Sequence, residues 1–171
     1  FPLRALALGW TGANCVKWLN KITLLEKPYE GFYMDQAYRI HQPDQDPKTG
    51  ETVTDINIKS IITQPEPEAA LPAGEVTILG AAYAGEADIE KVEVSTDGGE
   101  SWQTATFIGP HEPYAWRQWQ YVWQIDRPGS YTILSRATDS NGEKQPMQGS
   151  WNKLGYNNNG VLEHGVPVQI G

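Results

Sequence analysis

Cysteine is almost absent from this sequence. The single residue, Cys15, excludes an intrachain disulfide and any metal cage built from several thiolates, and it leaves the redox compartment open. No apolar run approaches the length needed to span a bilayer. Basic residues are the minority, 13 Lys and Arg against 21 Asp and Glu, and the net charge of −8 argues against nucleic acid or an anionic membrane as partner. A basic protein partner or plain solubility accounts for that balance. Phosphate-cradling loops, zinc-ligand spacings and nucleophile elbows are missing as well. The three histidines, His41, His111 and His164, are scattered, and no metal site is expected from them. Asp97, Glu100, Asp126 and Asp139 sit at or beside turns, where carboxylates serve solvation and turn chemistry. None is nominated as a general acid or base, and there is no internal repeat.

What is present points to β structure. The 171 residues suffice for one well-cored domain, or for one domain plus a fragment of another. Glycine (17) and proline (12) are too frequent for a helical protein and suit a turn-rich β fold. The stretch Lys91 to Trp102 is the most explicit: Val92 and Val94 alternate with polar neighbours, Asp97-Gly98-Gly99 tolerates positive φ, and Trp102 opens a return strand. Further strands are expected over 58–63, 75–83, 89–95, 102–107, 119–125, 131–139 and 164–170, separated by turn signals such as Pro72-Ala73-Gly74 and Arg127-Pro128-Gly129. The spacing predicts an all-β, immunoglobulin-like sandwich. Upstream, Leu3 to Leu8 reads as a short buried strand, and 12–19 as a turn followed by a helical piece with Val16, Leu19 and Ile22 on one side. These first residues are too few to bury their own apolar face. They read as the tail of a larger body, with Phe1-Pro2-Leu3-Arg4 as the interior of a longer protein.

Two stretches carry candidate chemistry. Arg4 and Lys17 flank the compact Gly9-Trp10-Thr11-Gly12 turn, so two cations can converge on one anion, although spacing alone favours two solvated surface charges. Trp119, Tyr121 and Trp123 alternate and make one sheet face strongly aromatic. That face suits an inter-sheet core or a subunit interface, and less commonly a ligand platform on a free-standing binding module.

Several phrases, in order, resemble one family. Phe1-Pro2-Leu3-Arg4 and the run from Gly9 to Leu19, ending Val16-Lys17-Trp18-Leu19, look like the end of the molybdenum-cofactor domain of sulfite oxidases. "KSIITQP", "VEVSTDGGESW", "AWRQWQ", "RATDSNGEKQP" and "WNKLGYNNN" resemble the immunoglobulin-like dimerisation domain that follows it. The resemblance implies three parts: the tail of the molybdopterin-binding domain (1–25), a connector (26–55) and the dimerisation domain (56–171). It reverses the preference at Arg4 and Lys17, which with Cys15 and Val16 are expected to contact the molybdopterin cofactor. It implies a full-length enzyme oxidising sulfite to sulfate and passing electrons to a haem or cytochrome c-type acceptor. It further implies a homodimer and a bacterial periplasmic location. The molybdenum-ligating cysteine of the family lies upstream of this sequence, so no residue here is expected to be catalytic or to bind the metal. One position departs from the family. Where animal and plant sulfite oxidases have Trp-Asn-Leu-Arg-Gly, this sequence reads Trp151-Asn152-Lys153-Leu154-Gly155, and Leu154 at the substrate-pocket edge cannot make a bidentate contact to an oxyanion. Nitrate reductases also carry an apolar residue there, followed by paired asparagines, so nitrate reduction or dehydrogenation of another sulfur compound is the alternative.

Overall fold

The computed structural model describes residues 3–171; Phe1 and Pro2, which open the Phe-Pro-Leu-Arg phrase, lie outside the described residues. Contacts divide the chain into two compact units. One runs up to Ile56 and takes back Ser150–Asn158; the other is Asn57–Gly149 with Asn159–Gly171. The break in contacts falls between Ile56 and Asn57, and residues 150–158 return to the first unit.

In the first unit, β1 (Leu3–Arg4) pairs antiparallel with β2 (Lys17–Leu19), and β3 (Arg39–Ile40) pairs with β4 (Glu51–Thr52). The expected buried strand and helical piece are both corrected here. Leu3, Leu6 and Leu8 are 69%, 66% and 59% exposed, and 12–19 forms a single 3-10 turn (Gly12–Asn14) leading into a strand. Val16 and Ile22 share no buried face. The helix-like spacing lacked a partner surface to bury it, and propensity alone does not hold so short a helix.

The second unit contains β5 (Lys59–Gln64), β6 (Ala69–Leu71), β7 (Gly74–Tyr83), β8 (Ile89–Ser95), β9 (Gln103–Thr104), β10 (Thr106–Phe107), β11 (Arg117–Ile125), β12 (Gly129–Asp139) and β13 (Val166–Ile170). They form two sheets, ordered β10-β11-β7-β5 and β6-β13-β12-β8-β9. Ile78, Ala82, Trp119, Trp123 and Ile125 from the first meet Val92, Val94, Ile133, Ala137 and Val168 from the second in one buried core. This is the predicted immunoglobulin-like β-sandwich, with alternate residues of each strand facing inward.

Two details differ from the sequence reading. The strand expected over 102–107 is two strands in different sheets: β9 pairs with β8, β10 with β11, and buried Ala105 carries the chain across. A two-residue period continues through such a crossing, so local pattern does not reveal it. β6, which runs parallel to β13, was not anticipated either.

The Lys91–Trp102 hairpin forms, with Glu93 opposite Thr104 and Val94 opposite Gln103. Its loop is closed by Asp97, whose carboxylate accepts from Ser101 N and Oγ and from Ser95 Oγ. Those bonds, Ser101 first, hold the Asp97 carboxyl well below the usual carboxylate range. The return strand starts at Gln103, one residue after Trp102. The Trp102 indole donates to the Gly99 carbonyl at 3.1 Å and lies beneath the Arg136 guanidinium, 4.0 Å away.

The aromatic stretch is settled by burial. Trp119 is 0% and Trp123 7% exposed, and Tyr121 packs against the same core. A ligand platform or a subunit contact made of these residues is thereby removed, since the opposing sheet already covers them.

Candidate anion-binding site

The β1–β2 ribbon is built against residues 53–56. Thr11 N donates to the Thr54 carbonyl (2.7 Å), Ile56 N donates to the Gly9 carbonyl (3.0 Å), and the Asn14 amide reaches Thr11 Oγ1 and the Val53 carbonyl. Ala5 N donates to the Val16 carbonyl at 2.9 Å, which extends the ribbon. The register is Leu3 opposite Leu19 and Arg4 opposite Lys17, with a bulge between them. Trp18 is the extra residue, and its φ of 52° is rare for a bulky side chain. Such bulges re-aim side chains next to functional sites. Trp18 is 75% exposed and lines, with Leu3, Arg4 and Lys17, a cavity of about 230 Å³.

Arg4 and Lys17 therefore stand directly across from one another, and neither has an acidic partner among the described residues. Like charges opposite each other on paired strands repel. An anion between them relieves that repulsion and satisfies a planar fork and a point charge together. The two other sequence candidates fall outside the cavity's lining: Cys15 is half-buried in the 3-10 turn, and Val16 spends its carbonyl on Ala5. Trp18 was missed, and no sequence signal marks it, because left-handed φ at a tryptophan is not legible from the residue type.

Leu154 sits at the tip of a loop made by its neighbours. Buried Asn152 donates to the Tyr156 carbonyl (2.8 Å) and accepts from Tyr156 N (3.0 Å), and Gly155 takes φ of 72° to close the turn. Lys153 N donates to the His41 carbonyl (3.0 Å), which anchors the loop to residues near β3. The asparagines that follow have structural work. Asn157 donates to the Asp55 carbonyl and Asn159 to that of Ile58, at 3.1 Å each.

The fold defines a class: a two-sheet β-sandwich domain preceded along the chain by a short β-ribbon on which two cations face each other. The profile of the Mo-co oxidoreductase dimerisation domain matches residues 50–169, and that of the oxidoreductase molybdopterin binding domain matches residues 1–33. The chain belongs to the Mo-co oxidoreductase dimerisation domain family and corresponds to the C-terminal region of sulfite oxidase family molybdoenzymes. A sulfite oxidase of Gallus gallus is 30% identical, over 91% of this chain and 36% of its own length. An NADH nitrate reductase of Solanum lycopersicum is 31% identical, over 93% of this chain and 20% of its own. Among solved structures, the sulfane dehydrogenase SoxCD from Paracoccus pantotrophus superposes with a TM-score of 0.79 at 28% identity, covering 98% of this chain and 46% of that one. The chain spans about a third of the length of the sulfite oxidase it matches.

Proposed function

We propose that this chain is the dimerisation portion of a molybdenum-dependent oxidoreductase that oxidises sulfite to sulfate, and that Arg4 and Lys17 hold the anionic end of its molybdopterin cofactor. The observation that carries the reading is the facing of these two cations, without a carboxylate partner among the described residues, inside the segment that matches a molybdopterin-binding domain. When bound, the cofactor supplies two-electron oxygen transfer: sulfite takes one oxygen from water and releases two protons and two electrons. The residues of this chain contribute binding and placement. Arg4 offers its fork to an oxyanion, Lys17 adds a point charge, and the Trp18 indole provides a flat apolar wall.

On the same reading, residues 1–25 end the cofactor domain, 26–55 connect and 56–171 form the dimerisation domain. The exposed Leu6, Leu8, Ile22 and Leu24 are then covered by that cofactor domain. The protein acts as a homodimer in the bacterial periplasm and delivers electrons to a haem or cytochrome c-type acceptor. A nitrate reductase is the second reading, supported by the similar identity of the tomato enzyme.

Two measurements test this. In the intact molybdenum-loaded enzyme, sulfite with cytochrome c is expected to turn over, and nitrate with a reduced dye is not; the reverse result moves the chain to the reductase branch. Arg4→Gln combined with Lys17→Gln is expected to weaken cofactor retention at least about tenfold, since each removes a charge-assisted contact. Molybdenum content after gel filtration is the readout, and an unchanged content sinks the assignment of this pair.

A further inference from the structure

The strand that buries Trp119 and Trp123 has a second side. On β11, Gln118, Gln120 and Val122 point away from the core, and Ala81 and Leu79 of β7 stand opposite the first two. Ile61 of β5 continues that face beside Ala81, because its neighbour Ser60 is the residue turned inward to Trp119. All of these are half-buried or exposed, Val122 at 43%. Between Lys59 at one end of the sheet and Glu75 at the other, the outward residues carry no charge. The outer face of the five-stranded sheet differs. It carries Lys91, Glu93 and Arg136, and its Leu134 is closed off beside Gly99 and Gly165.

We propose that the outer face of the β10-β11-β7-β5 sheet is the surface through which two copies of this chain pair, with Leu79 at the two-fold axis. The inference deepens the homodimer reading and rests on it. The matched dimerisation profile spans every residue of this face. Two copies with a net charge of −8 repel wherever carboxylates meet, and here each offers one, Glu75. An uncharged, partly apolar sheet face can take a second sheet at about 10 Å. The ends set the orientation. Glu75 and Tyr83, the latter opposite Lys59, lie four positions either side of Leu79, roughly 13 Å each way along β7. A two-fold axis lying in the interface and running across β7 brings Lys59 over Glu75 of the partner subunit, twice. An axis along β7 instead stacks lysine near lysine and glutamate near glutamate, so charge selects the first arrangement. Gln124 donates to Glu75 at 2.9 Å and holds that carboxylate on the face. Burial pulls the Lys59 pKa down, a cost that an overlying carboxylate offsets.

The test is sedimentation equilibrium of the intact molybdenum-loaded enzyme across a concentration series. Leu79→Arg, which puts two cations at the axis, is expected to raise the dimer dissociation constant about thirtyfold. Lys59→Glu and Glu75→Lys are expected to raise it about fivefold each, and the two together to return it to within about twofold of the parent. Ser130→Arg, on the other sheet, is expected to leave it unchanged. A parent that stays monomeric at every concentration overturns the homodimer reading and this face with it. A dimeric parent that Leu79→Arg leaves intact overturns the face alone, as does an equal loss in Ser130→Arg. Failure of the double charge reversal to restore pairing overturns the two-fold arrangement, and that arm does not depend on how well Leu79→Arg folds.

Discussion

Replacing Trp119 by alanine is expected to destabilise the sandwich by about 3–5 kcal/mol, at the upper end of what a single core truncation costs. The indole is fully buried between the two sheets and is the largest side chain so enclosed among the described residues. Its partner across the β7–β11 ladder is Gly80, and the two are matched in shape: a Cβ at Gly80 would overlap the indole Cζ2 and Cε2. The ring also has a polar anchor. Trp119 Nε1 donates to Ser60 Oγ at 3.1 Å, and Ser60 Oγ donates to Ser135 Oγ at 3.0 Å, which links β5 to β12 across the core. Alanine leaves a cavity that glycine opposite cannot fill, and it takes the donor away from a buried hydroxyl oxygen. For a domain of this size the apparent melting temperature should fall by roughly 10 °C. Trp119→Phe, which keeps most of the volume and loses the hydrogen bond, should lie between. Gly80→Ala should destabilise from the other side by forcing the ring off its place. A melt of Trp119→Ala within about 2 °C of the parent contradicts this account of the core.

Glu93→Gln is the second large effect. Glu93 lies on β8 with its side chain 12% exposed, contacted by Lys91 at 2.9 Å, Arg136 at 2.9 Å and Lys144 at 3.6 Å. Burial works to raise its pKa, but hydrogen bonds from Arg136 and Lys91 outweigh it and hold the carboxyl down at about 2. Removing the one negative charge leaves three cations facing each other, one of them stacked on Trp102. A loss of about 3 kcal/mol at neutral pH is expected. The sign of the pH dependence follows from the depressed value. Unfolded, the group titrates near 4.5; folded, near 2. Its contribution is present in full above the unfolded value and is lost as the pH falls through the folded one. The gap between parent and Glu93→Gln should thus be constant from pH 7 to about 5, narrow below 4.5 and close near 2. Denaturant melts at four or five pH values measure it, and a gap that stays constant down to about pH 2.5 assigns the stabilisation to something other than this carboxylate.

The strands were legible wherever the alternation of buried and exposed residues belonged to a single sheet. Ile89–Ser95 and the turn after it follow from Val92, Val94 and the glycines at 98 and 99, because a period of two and the need for positive φ are properties of neighbouring residues. The same alternation, read through Gln103 to Phe107, suggested one strand where there are two. The aromatic alternation at Trp119 and Trp123 identified a face but not what covers it; the opposing sheet does. Family membership was legible from the order of short phrases and stands with the matched profiles. The site was legible only in part. Arg4 and Lys17 were legible as two cations flanking a turn, and by spacing alone looked like solvated charges. Their opposition depends on a ribbon whose two strands are joined through a turn, and on a bulge at Trp18 that no residue type announces. Lys153 and His41 are further still from each other along the chain and meet through a backbone hydrogen bond. The β architecture, the acidic balance and the family can thus be read from the linear chain, since they rest on local periodicity, composition and the order of phrases. Which sheet takes each strand, what the tryptophans face and which cations share a cavity emerge only on folding. Those are set by pairing and packing between residues distant in the chain, where each contact depends on the register of all the others.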